Sequence, residues 1–322
     1  MQDLLSTLKS LLLSDNWGSL WIPFLITGLT CPLLIRWAPK LKLFDNPGDS
    51  ARKIHHQVKP LGGAALLLGL VPVIILYGSV PLVLSFAVLI VFFTGLIDDI
   101  FGLSPHVKLI LQIIAATTVV VFSPFPTTRL SLAGDLNYGL TGIPNMVFIS
   151  FWLVSGTNAL NLVDGLDGLA AGIGLLALLP ILPIAFSHQT FLLTAGLAAA
   201  LLAIMFYNFY PARLFLGDGG SYLVGFLTSY LVITGLASAP ASSGTWNPLI
   251  GILLLGIPVI DTALAIYRRA GSGKGVMQAD QNHLHHKLYR RFGHVKAVLI
   301  IYALQIALSG IALALLCIRV PN

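Results

Sequence analysis

The sequence predicts an all-α, polytopic integral membrane protein whose helices form a single transmembrane domain over residues 1–322. Hydrophobic residues make up 57% of the 322 residues, and charged residues make up only 9%. The mean hydropathy is +0.90, whereas a soluble domain has a far more even mixture of apolar and charged residues. A water-soluble single core is therefore excluded, and the apolar content is enough for about nine spans of roughly 20 residues each.

Ten apolar runs, separated by glycine, proline and charged residues, predict the membrane spans. In chain order they cover residues 17–38, 61–79, 80–97, 106–123, 144–157, 168–187, 190–208, 219–238, 248–267 and 297–318. The fifth run is short enough that its span begins earlier or tilts in the bilayer. The segment before the first span is amphipathic and lacks a basic leader, so it does not predict a cleaved signal.

Positive charge separates the loops between these spans into two sets. One set comprises residues 36–60, 98–108, 158–167, 209–218 and 261–296. It holds all of the 18 Lys and Arg residues except Lys9, Arg129 and Arg319. By the positive-inside rule this set is cytoplasmic, which predicts a multi-pass protein of the inner (plasma) membrane with both termini outside.

Acidic and imidazole side chains are concentrated on the same side. All 12 acidic residues are Asp, and none is Glu. The predicted outer side holds only Asp3, Asp15, Asp135 and His188. The positive-inside rule concerns cations alone, so this second asymmetry favours an active site at the cytosolic surface. An ion or solute transporter, the alternative class, would place its ionisable groups near the bilayer midplane.

Two further features exclude other classes of protein. The pI of about 9.4 would indicate nucleic-acid binding in a soluble protein, but clustered inner-loop cations explain it here without nucleic acid. The two cysteines, Cys31 and Cys317, lie far apart inside apolar runs, so they form neither a disulfide framework nor a metal-binding spacing.

The third predicted span closes on Asp98 and Asp99, in the sequence GLIDDIFGLSPHVK. Adjacent carboxylates repel each other unless a cation lies near them, and a pair of hard oxygen ligands suits Mg²⁺. A solvated loop start is the alternative interpretation. Lys108, at the mouth of the fourth span, could hold a phosphate or could extend its amine to the membrane interface.

Four Asn and Asp side chains recur every three residues before the sixth span, at Asn158, Asn161, Asp164 and Asp167. Gly165 and Gly168 make an unbroken helix unfavourable, which predicts a turn into the start of the span. Such a turn aims backbone N–H groups at an anion while the side chains take a metal ion or sugar hydroxyls. A capped helix start with glycine packing is the alternative.

Glycines surround Asp218 at the mouth of the eighth span, in the sequence NFYPARLFLGDGGSYLVG. Glycine permits close approach of the backbone to a phosphate, and Asp218 can then act as a metal ligand. An N-cap turn is the alternative. Asn208, at the inner end of the seventh span, could read a base or a sugar or could be an interfacial amide.

The longest inner loop carries three histidines followed by cations, at His283, His285, His286, Lys287, Arg290 and Arg291. On a helix His283, His286 and Arg290 share a face, and this cationic surface suits a diphosphate. A zinc site and a basic amphipathic helix on anionic lipid are the alternatives. Asp261, at the end of the ninth span, could be a buried ion-pair partner.

A basic patch lies between the first and second spans, in the sequence DNPGDSARKIHHQVKPLGG. Arg52 and Lys53 lead this patch at the level of the lipid headgroups, where a lipid phosphate would reside. Positive-inside anchoring alone is the alternative interpretation.

With these motifs in order, the sequence resembles the polyprenyl-phosphate N-acetylhexosamine-1-phosphate transferases, the bacterial glycosyltransferase 4 family. The similarity runs from about residue 45 to residue 293, through DNPGDSARKIHH, PLGG, GLIDDIFGLSP, NALNLVDGLDGLAAG, FLGDGGSYLVGF, IPVIDTALAIYRR and DQNHLHHKL. The resemblance implies ten or eleven spans and dependence on Mg²⁺, with Mn²⁺ as a substitute. It also implies transfer of a sugar 1-phosphate from a UDP-N-acetylhexosamine to undecaprenyl phosphate, with release of UMP.

The resemblance implies a role for each motif. The implied catalytic residues are Asp98, Asp99, Asp164, Asp167 and His283. The implied metal ligands are Asp218, Asn158 and Asp99. The implied substrate-binding residues are Asn161, Asn208, His285, His286, Arg52, Lys53, Lys108 and Arg290.

The histidine motif distinguishes two branches of the family. HLHHKL is similar to the branch that uses UDP-N-acetylglucosamine to initiate O-antigen, enterobacterial common antigen or teichoic acid. The peptidoglycan branch, which transfers phospho-N-acetylmuramoyl-pentapeptide, carries an HHHFE-like motif and is the alternative within the family. Many members also have a charged residue three positions after the second Asp, where this chain has Gly102.

The reaction expected from the resemblance is a direct displacement by the lipid phosphate at the β-phosphorus of the donor. A two-step route, with first attack by Asp98 or Asp99, stays open. The downstream polymer and the oligomeric state also stay open, and a homodimer is compatible with the sequence.

Overall fold

The computed structural model describes residues 17–37, 60–76, 81–131, 137–239, 242, 245–271 and 283–318. Within these residues the chain forms 12 helices and one small sheet. The helices, numbered α1 to α12 in chain order, are Gly18–Trp37, Gly62–Leu76, Leu82–Phe101, Pro105–Phe122, Gly142–Val163, Leu169–Leu178, His188–Asn208, Gly217–Ser238, Pro248–Leu255, Ile257–Gly271, Leu284–Phe292 and His294–Ile318.

The predicted fold class is confirmed, but ten full-length spans are not. In the described part of the chain, seven helices are long and apolar enough to cross a membrane, and α9 with α10 makes an eighth if the bent pair counts as one span. The seven are α1, α3, α4, α5, α7, α8 and α12. Helices α2 and α6 are apolar but have only 15 and 10 residues. In the sixth predicted span, 168–187, helix α6 ends at Leu178 and turns follow.

The helices alternate in direction, so that their polar ends meet at one end of the bundle. The start of α2 bonds to the segment before α8, where Gly62 N donates to Phe215 O at 2.8 Å. The end of α3 meets the start of α8, and the start of α6 lies against Phe209 at the end of α7. We call this the polar end of the bundle, defined by the last turns of α3 and α5 and the first turn of α8.

Glycines bring three helix backbones into direct contact at the polar end. A Cβ added at Gly63 of α2 or at Gly95 of α3 would collide with the backbone of residues 218–220 in the first turn of α8. Glycine is the residue that allows such a close approach. The two helices therefore pack on α8 without intervening side chains, and the end of α3 lies beside Asp218.

A three-stranded sheet covers the opposite end of the bundle. Strands β1 (Thr127–Ser131), β2 (Asn137–Leu140) and β3 (Thr245–Trp246) have the order β2-β1-β3, with β1 antiparallel to β2 and parallel to β3. The Trp246 indole is buried and donates to Thr128 Oγ1 at 2.9 Å. These strands were not predicted from the sequence, because runs of two to five residues have no clear alternation of apolar and polar residues.

The ninth predicted span, 248–267, is wrong as a single helix, because the chain bends by 100° between α9 and α10. Gly256 adopts φ +56° at the break, and Pro258 lies in the first turn of the helix that follows. Gln305 of α12 is fully buried and bridges the interruption. Its Nε2 donates to Leu254 O at 2.9 Å, and its Oε1 accepts from Ile257 N at 3.1 Å. In an apolar environment such interrupted backbone groups need a partner within the protein.

Replacement of Gln305 by Leu should destabilise the protein. The change leaves the Leu254 carbonyl and the Ile257 amide buried without partners, and each such group costs about 1–3 kcal/mol. We expect the free energy of unfolding in detergent to fall by about 2 kcal/mol or more. Gln189→Leu, at an exposed position of α7, is the control and should stay close to wild type. Equal stability of the two variants would contradict the bridging role of Gln305.

Candidate active site

Asp99 caps the first turn of α8 from the last turn of α3. Its Oδ1 accepts from Asp218 N at 3.0 Å, and its Oδ2 accepts from Gly219 N at 3.2 Å. Gly217 has φ +75°, and a Cβ there would lie 2.7 Å from the Asp99 carboxylate. A carboxylate at a helix N-terminus is favourable because it bonds to the unpaired N–H groups and faces the positive end of the helix dipole. Asp99 thus positions Asp218, and its metal-ligand role stays a prediction.

Asp98 contacts a cation, a backbone amide and a second carboxyl group. Its Oδ2 pairs with Lys108 Nζ at 2.6 Å, and its Oδ1 accepts from Leu103 N at 2.7 Å. The carboxyl groups of Asp98 and Asp218 also contact each other. Two carboxylates in contact repel unless a proton or a cation lies between them. Lys108 lies beside this pair, and its role in holding a phosphate stays a prediction.

Asn161 orients Asp218 from the facing helix, α5. Its Nδ2 donates to Asp218 Oδ1 at 3.0 Å and to Ser221 Oγ at 2.8 Å. Ser221 was not among the predicted site residues. It is buried, and its hydroxyl also donates to Asp218 O at 3.3 Å. In the sequence, the only indication of its role is its position one helical turn after Asp218, at the start of a predicted span.

Asn158 lies one turn before Asn161 and bonds elsewhere. Its Nδ2 donates to Val154 O at 2.8 Å and to the side-chain oxygen of Gln112 in α4. Among the described residues, none of its hydrogen bonds goes to Asp218. Its role as a metal ligand stays a prediction. Gln112 is almost fully buried and was missed, because a single amide in an apolar run looks like an ordinary span residue.

Asp164 and Asp167 lie in the turn between α5 and α6. Asp164 follows the last residue of α5, and the turn ends at Gly168, which has φ +79°. Asp167 is buried, and its Oδ2 accepts from Ala212 N at 3.0 Å. This bond ties the turn to the segment between α7 and α8. Asp167 therefore has a structural role in holding the turn, and its catalytic role stays a prediction.

The three histidines lie together beside the same turn. The ring centroids of His285 and His286 are 4.1 Å apart, and those of His283 and His285 are 5.7 Å apart. A Cβ at Gly165 would lie 2.6 Å from His285 Nε2, so the cluster packs directly on the turn. Burial, together with the neighbouring imidazoles of His286 and His283, lowers the pKa of His285 to about 3. His285 is therefore uncharged near neutral pH.

The remaining predicted site residues are Asn208, Arg290, Arg52 and Lys53. Asn208 is buried, and its Nδ2 donates to Leu214 O at 2.9 Å, so it supports the segment before α8. Arg290 is exposed on α11, with its Nε donating to His286 O at 3.3 Å. Arg52 and Lys53 lie outside the described residues.

The arrangement suits a divalent cation held by few protein ligands. Asp98 and Asp218 present carboxylate oxygens in contact with each other. Within the described ranges no group of three His, Cys, Asp or Glu side chains forms a complete metal site. Mg²⁺ is usually bound by one or two carboxylates together with substrate phosphates and water. The Asp98–Asp218 pair therefore fits this ion when a phosphorylated substrate completes the ligand set.

Comparison with known proteins identifies similar chains. Residues 81–236 match the family described as Glycosyl transferase family 4. The chain is 34% identical to the "Probable undecaprenyl-phosphate N-acetylglucosaminyl 1-phosphate transferase" of Bacillus subtilis, with 91% of this chain and 84% of that protein covered. It is 31% identical to the decaprenyl-phosphate N-acetylglucosaminephosphotransferase of Mycolicibacterium smegmatis, with 78% and 70% covered. It is 30% identical to the undecaprenyl-phosphate alpha-N-acetylglucosaminyl 1-phosphate transferase of Thermotoga maritima, with 92% and 89% covered.

The low pKa of His285 predicts how stability changes with pH. The unfolded chain takes up a proton at this residue near pH 6.5, whereas the folded protein does so only near pH 3. As the pH falls through this window, His285 should destabilise the fold by up to about 1.4 kcal/mol per pH unit. His285→Gln should remove this slope in pH-dependent unfolding in detergent, and His188→Gln, at an exposed position, should not. Identical slopes in wild type and His285→Gln would contradict the neutral state of His285.

Proposed function

The chain belongs to glycosyl transferase family 4, and we propose that it transfers N-acetylglucosamine 1-phosphate from UDP-N-acetylglucosamine to a polyprenyl phosphate, releasing UMP. The main structural support for the proposal is the contact between the Asp98 and Asp218 carboxyl groups beside Lys108. The names of the similar proteins support the choice of sugar, since all three specify N-acetylglucosamine while the lipid is undecaprenyl or decaprenyl. For this chain we propose undecaprenyl phosphate as the acceptor.

We propose Mg²⁺ as the cofactor, with Mn²⁺ as a substitute. The donor diphosphate and the lipid phosphate are both anions, so their approach requires positive charge at the site. Asp98, Asp218 and Lys108 together carry a formal charge of −1. A bound divalent cation would change this to +1 and would withdraw charge from the phosphoryl oxygens. Asp98 and Asp218 would hold it, while Asn161 and Ser221 keep the Asp218 carboxyl group in place.

The acceptor phosphate needs little activation before it attacks. The second pKa of a phosphate monoester is about 6, so this group is largely dianionic near neutral pH. In a single step, a bond forms between its oxygen and the donor's β-phosphorus, and the bond to the oxygen bridging to the α-phosphorus breaks. UMP leaves with that oxygen. Asp98 bonds to Lys108, and Asp99 bonds to two backbone amides. These contacts favour direct attack by the lipid over a first attack by either aspartate.

The polar end is proposed to face the cytoplasm. The positive-inside rule supports this orientation, and the motifs from separate inner loops meet at this end. A nucleotide sugar is available in the cytoplasm, and a lipid phosphate lies in the headgroup layer next to such a site. The alternative, a transporter, would need the same polar groups to be reached from both sides of the membrane.

The activity is tested directly with purified protein, radiolabelled UDP-N-acetylglucosamine, undecaprenyl phosphate and Mg²⁺. We expect a butanol-extractable labelled lipid and release of UMP. UDP-N-acetylmuramoyl-pentapeptide should give no lipid product. Asp218→Asn should lower the rate at least about 100-fold, the order of loss seen when one pre-organised electrostatic group is removed from an active site.

His188→Gln, at the opposite end of the bundle, is the matched control and should keep full activity. Transfer of the muramoyl-pentapeptide, or full activity of Asp218→Asn, would refute the proposed substrate or the proposed site. Labelled protein formed without lipid acceptor would refute the single-step reaction.

The orientation is tested by cysteine labelling in a Cys317→Ser background, since Cys31 is buried. Ser104 lies at the polar end, and Tyr138 lies on the sheet at the other end; both are exposed. Each is replaced by Cys in a separate variant. An impermeant maleimide should label Ser104→Cys only in inverted vesicles and Tyr138→Cys only in right-side-out vesicles. The reverse pattern would refute the orientation, and labelling of Ser104→Cys from both sides would favour the transporter.

A further inference from the structure

Asp261 and His283 form a buried acid–imidazole pair that joins α10 to α11. The two residues are 5% and 3% exposed. His283 Nδ1 lies 2.9 Å from Asp261 Oδ2. The pair sits beyond the 100° bend between α9 and α10, so the bend places Asp261 next to the histidine cluster.

Asp261 also holds the chain that carries His283. Both of its carboxylate oxygens accept from Leu284 N, at 3.1 and 3.3 Å. Leu284 is the first residue of α11 and follows His283 directly. The same carboxylate therefore fixes the imidazole and the backbone beside it, so the ring cannot turn over without loss of a buried hydrogen bond.

This contact determines which nitrogen of the ring can meet a ligand. An ionised carboxylate only accepts hydrogen bonds, so the proton shared with Asp261 belongs to Nδ1 of His283. Nε2 is the nitrogen on the far side of the ring. Among the described residues, the hydrogen-bond contact of the ring is the one between Nδ1 and Asp261. Within the described ranges, the ionisable groups in contact with the ring are Asp261 of α10 and His285 and His286 of α11.

We propose that Asp261 is a positioning residue that holds His283 with its proton on Nδ1 and presents Nε2 to the diphosphate of the nucleotide sugar. This inference rests on the proposed function, because it takes the donor as the ligand of His283. When the ring carries a second proton, that proton sits on Nε2, and Nε2–H donates a hydrogen bond to a phosphoryl oxygen. The Asp261 carboxylate then balances the charge of the imidazolium.

The first test is the tautomer of His283 in the wild-type protein without substrate. Protein labelled with ¹⁵N-histidine is studied by long-range ¹H–¹⁵N NMR at a pH where the rings are neutral, and the His283 signal is assigned by its loss in His283→Gln. We expect the Nδ1–H tautomer in wild type and its loss in Asp261→Asn. The Nε2–H tautomer in wild type would overturn the proposal, with no need for a variant at Asp261.

The second test is kinetic. Asp261→Asn should lower kcat by about 10–100-fold, the usual effect of removing the partner that orients a functional histidine. The KM for undecaprenyl phosphate should stay within about twofold, because Asp261 is not expected to contact the lipid. The double variant Asp261→Asn/His283→Gln should be no slower than His283→Gln alone, because the two residues act as one unit.

His188→Gln is the control for both tests and should keep the His283 signal and the activity. Losses that multiply in the double variant would overturn the proposal. The NMR test needs no substrate, so it is independent of the transfer assay. Absence of transfer by the wild-type protein would instead refute the proposed function.

Discussion

The bonds between the Asp99 carboxylate and the first turn of α8 determine the geometry of the polar end. A helix start leaves N–H groups without partners, and in an apolar environment the protein itself must supply them. Asp99 supplies two from the last turn of α3. The cap holds the end of α3 against the start of α8, and Asp98 and Asp218, each next to a capping bond, come into contact as a result. The contact between Asp98 and Asp218 is thus a consequence of how the N-terminal N–H groups of α8 find their partners.

The helical architecture could be predicted from the sequence, because lipid requires long apolar runs and these are visible in composition alone. The sixth and ninth spans were wrongly predicted as continuous helices, since hydropathy measures transfer into lipid and not helical continuity. The signals were nevertheless present: Pro180 and Pro183 follow the end of α6, and Gly256 and Pro258 flank the bend. The sheet was beyond prediction, because its strands have only two to five residues and look like loops. The pairing of β1 with β3 also joins segments more than 100 residues apart.

The membership of the candidate site was largely predictable, but the division of roles was not. Carboxylates and amides at span ends identified Asp98, Asp99, Asn161 and Asp218, which do meet. Asp98 and Asp99 are adjacent in the sequence, and the sequence does not show which of them caps a helix and which pairs with Lys108. That depends on the direction of each side chain in the folded bundle. Buried partners such as Ser221 were invisible for the same reason: their importance comes only from what they touch.

The glycine contacts at the start of α8 bear on selectivity between donor sugars. With backbone directly against backbone at Gly63 and Gly95, the helices α2, α3 and α8 have little freedom to slide or separate, so the spacing of the two carboxyl groups is rigid. In the proposed reaction this centre binds the diphosphate, the feature that all candidate donors share, and a rigid centre does not adjust to a sugar that differs by one hydroxyl. Discrimination between sugars must then come from side chains outside this three-helix contact. Exchange of those side chains could change the sugar while leaving the phosphoryl chemistry intact.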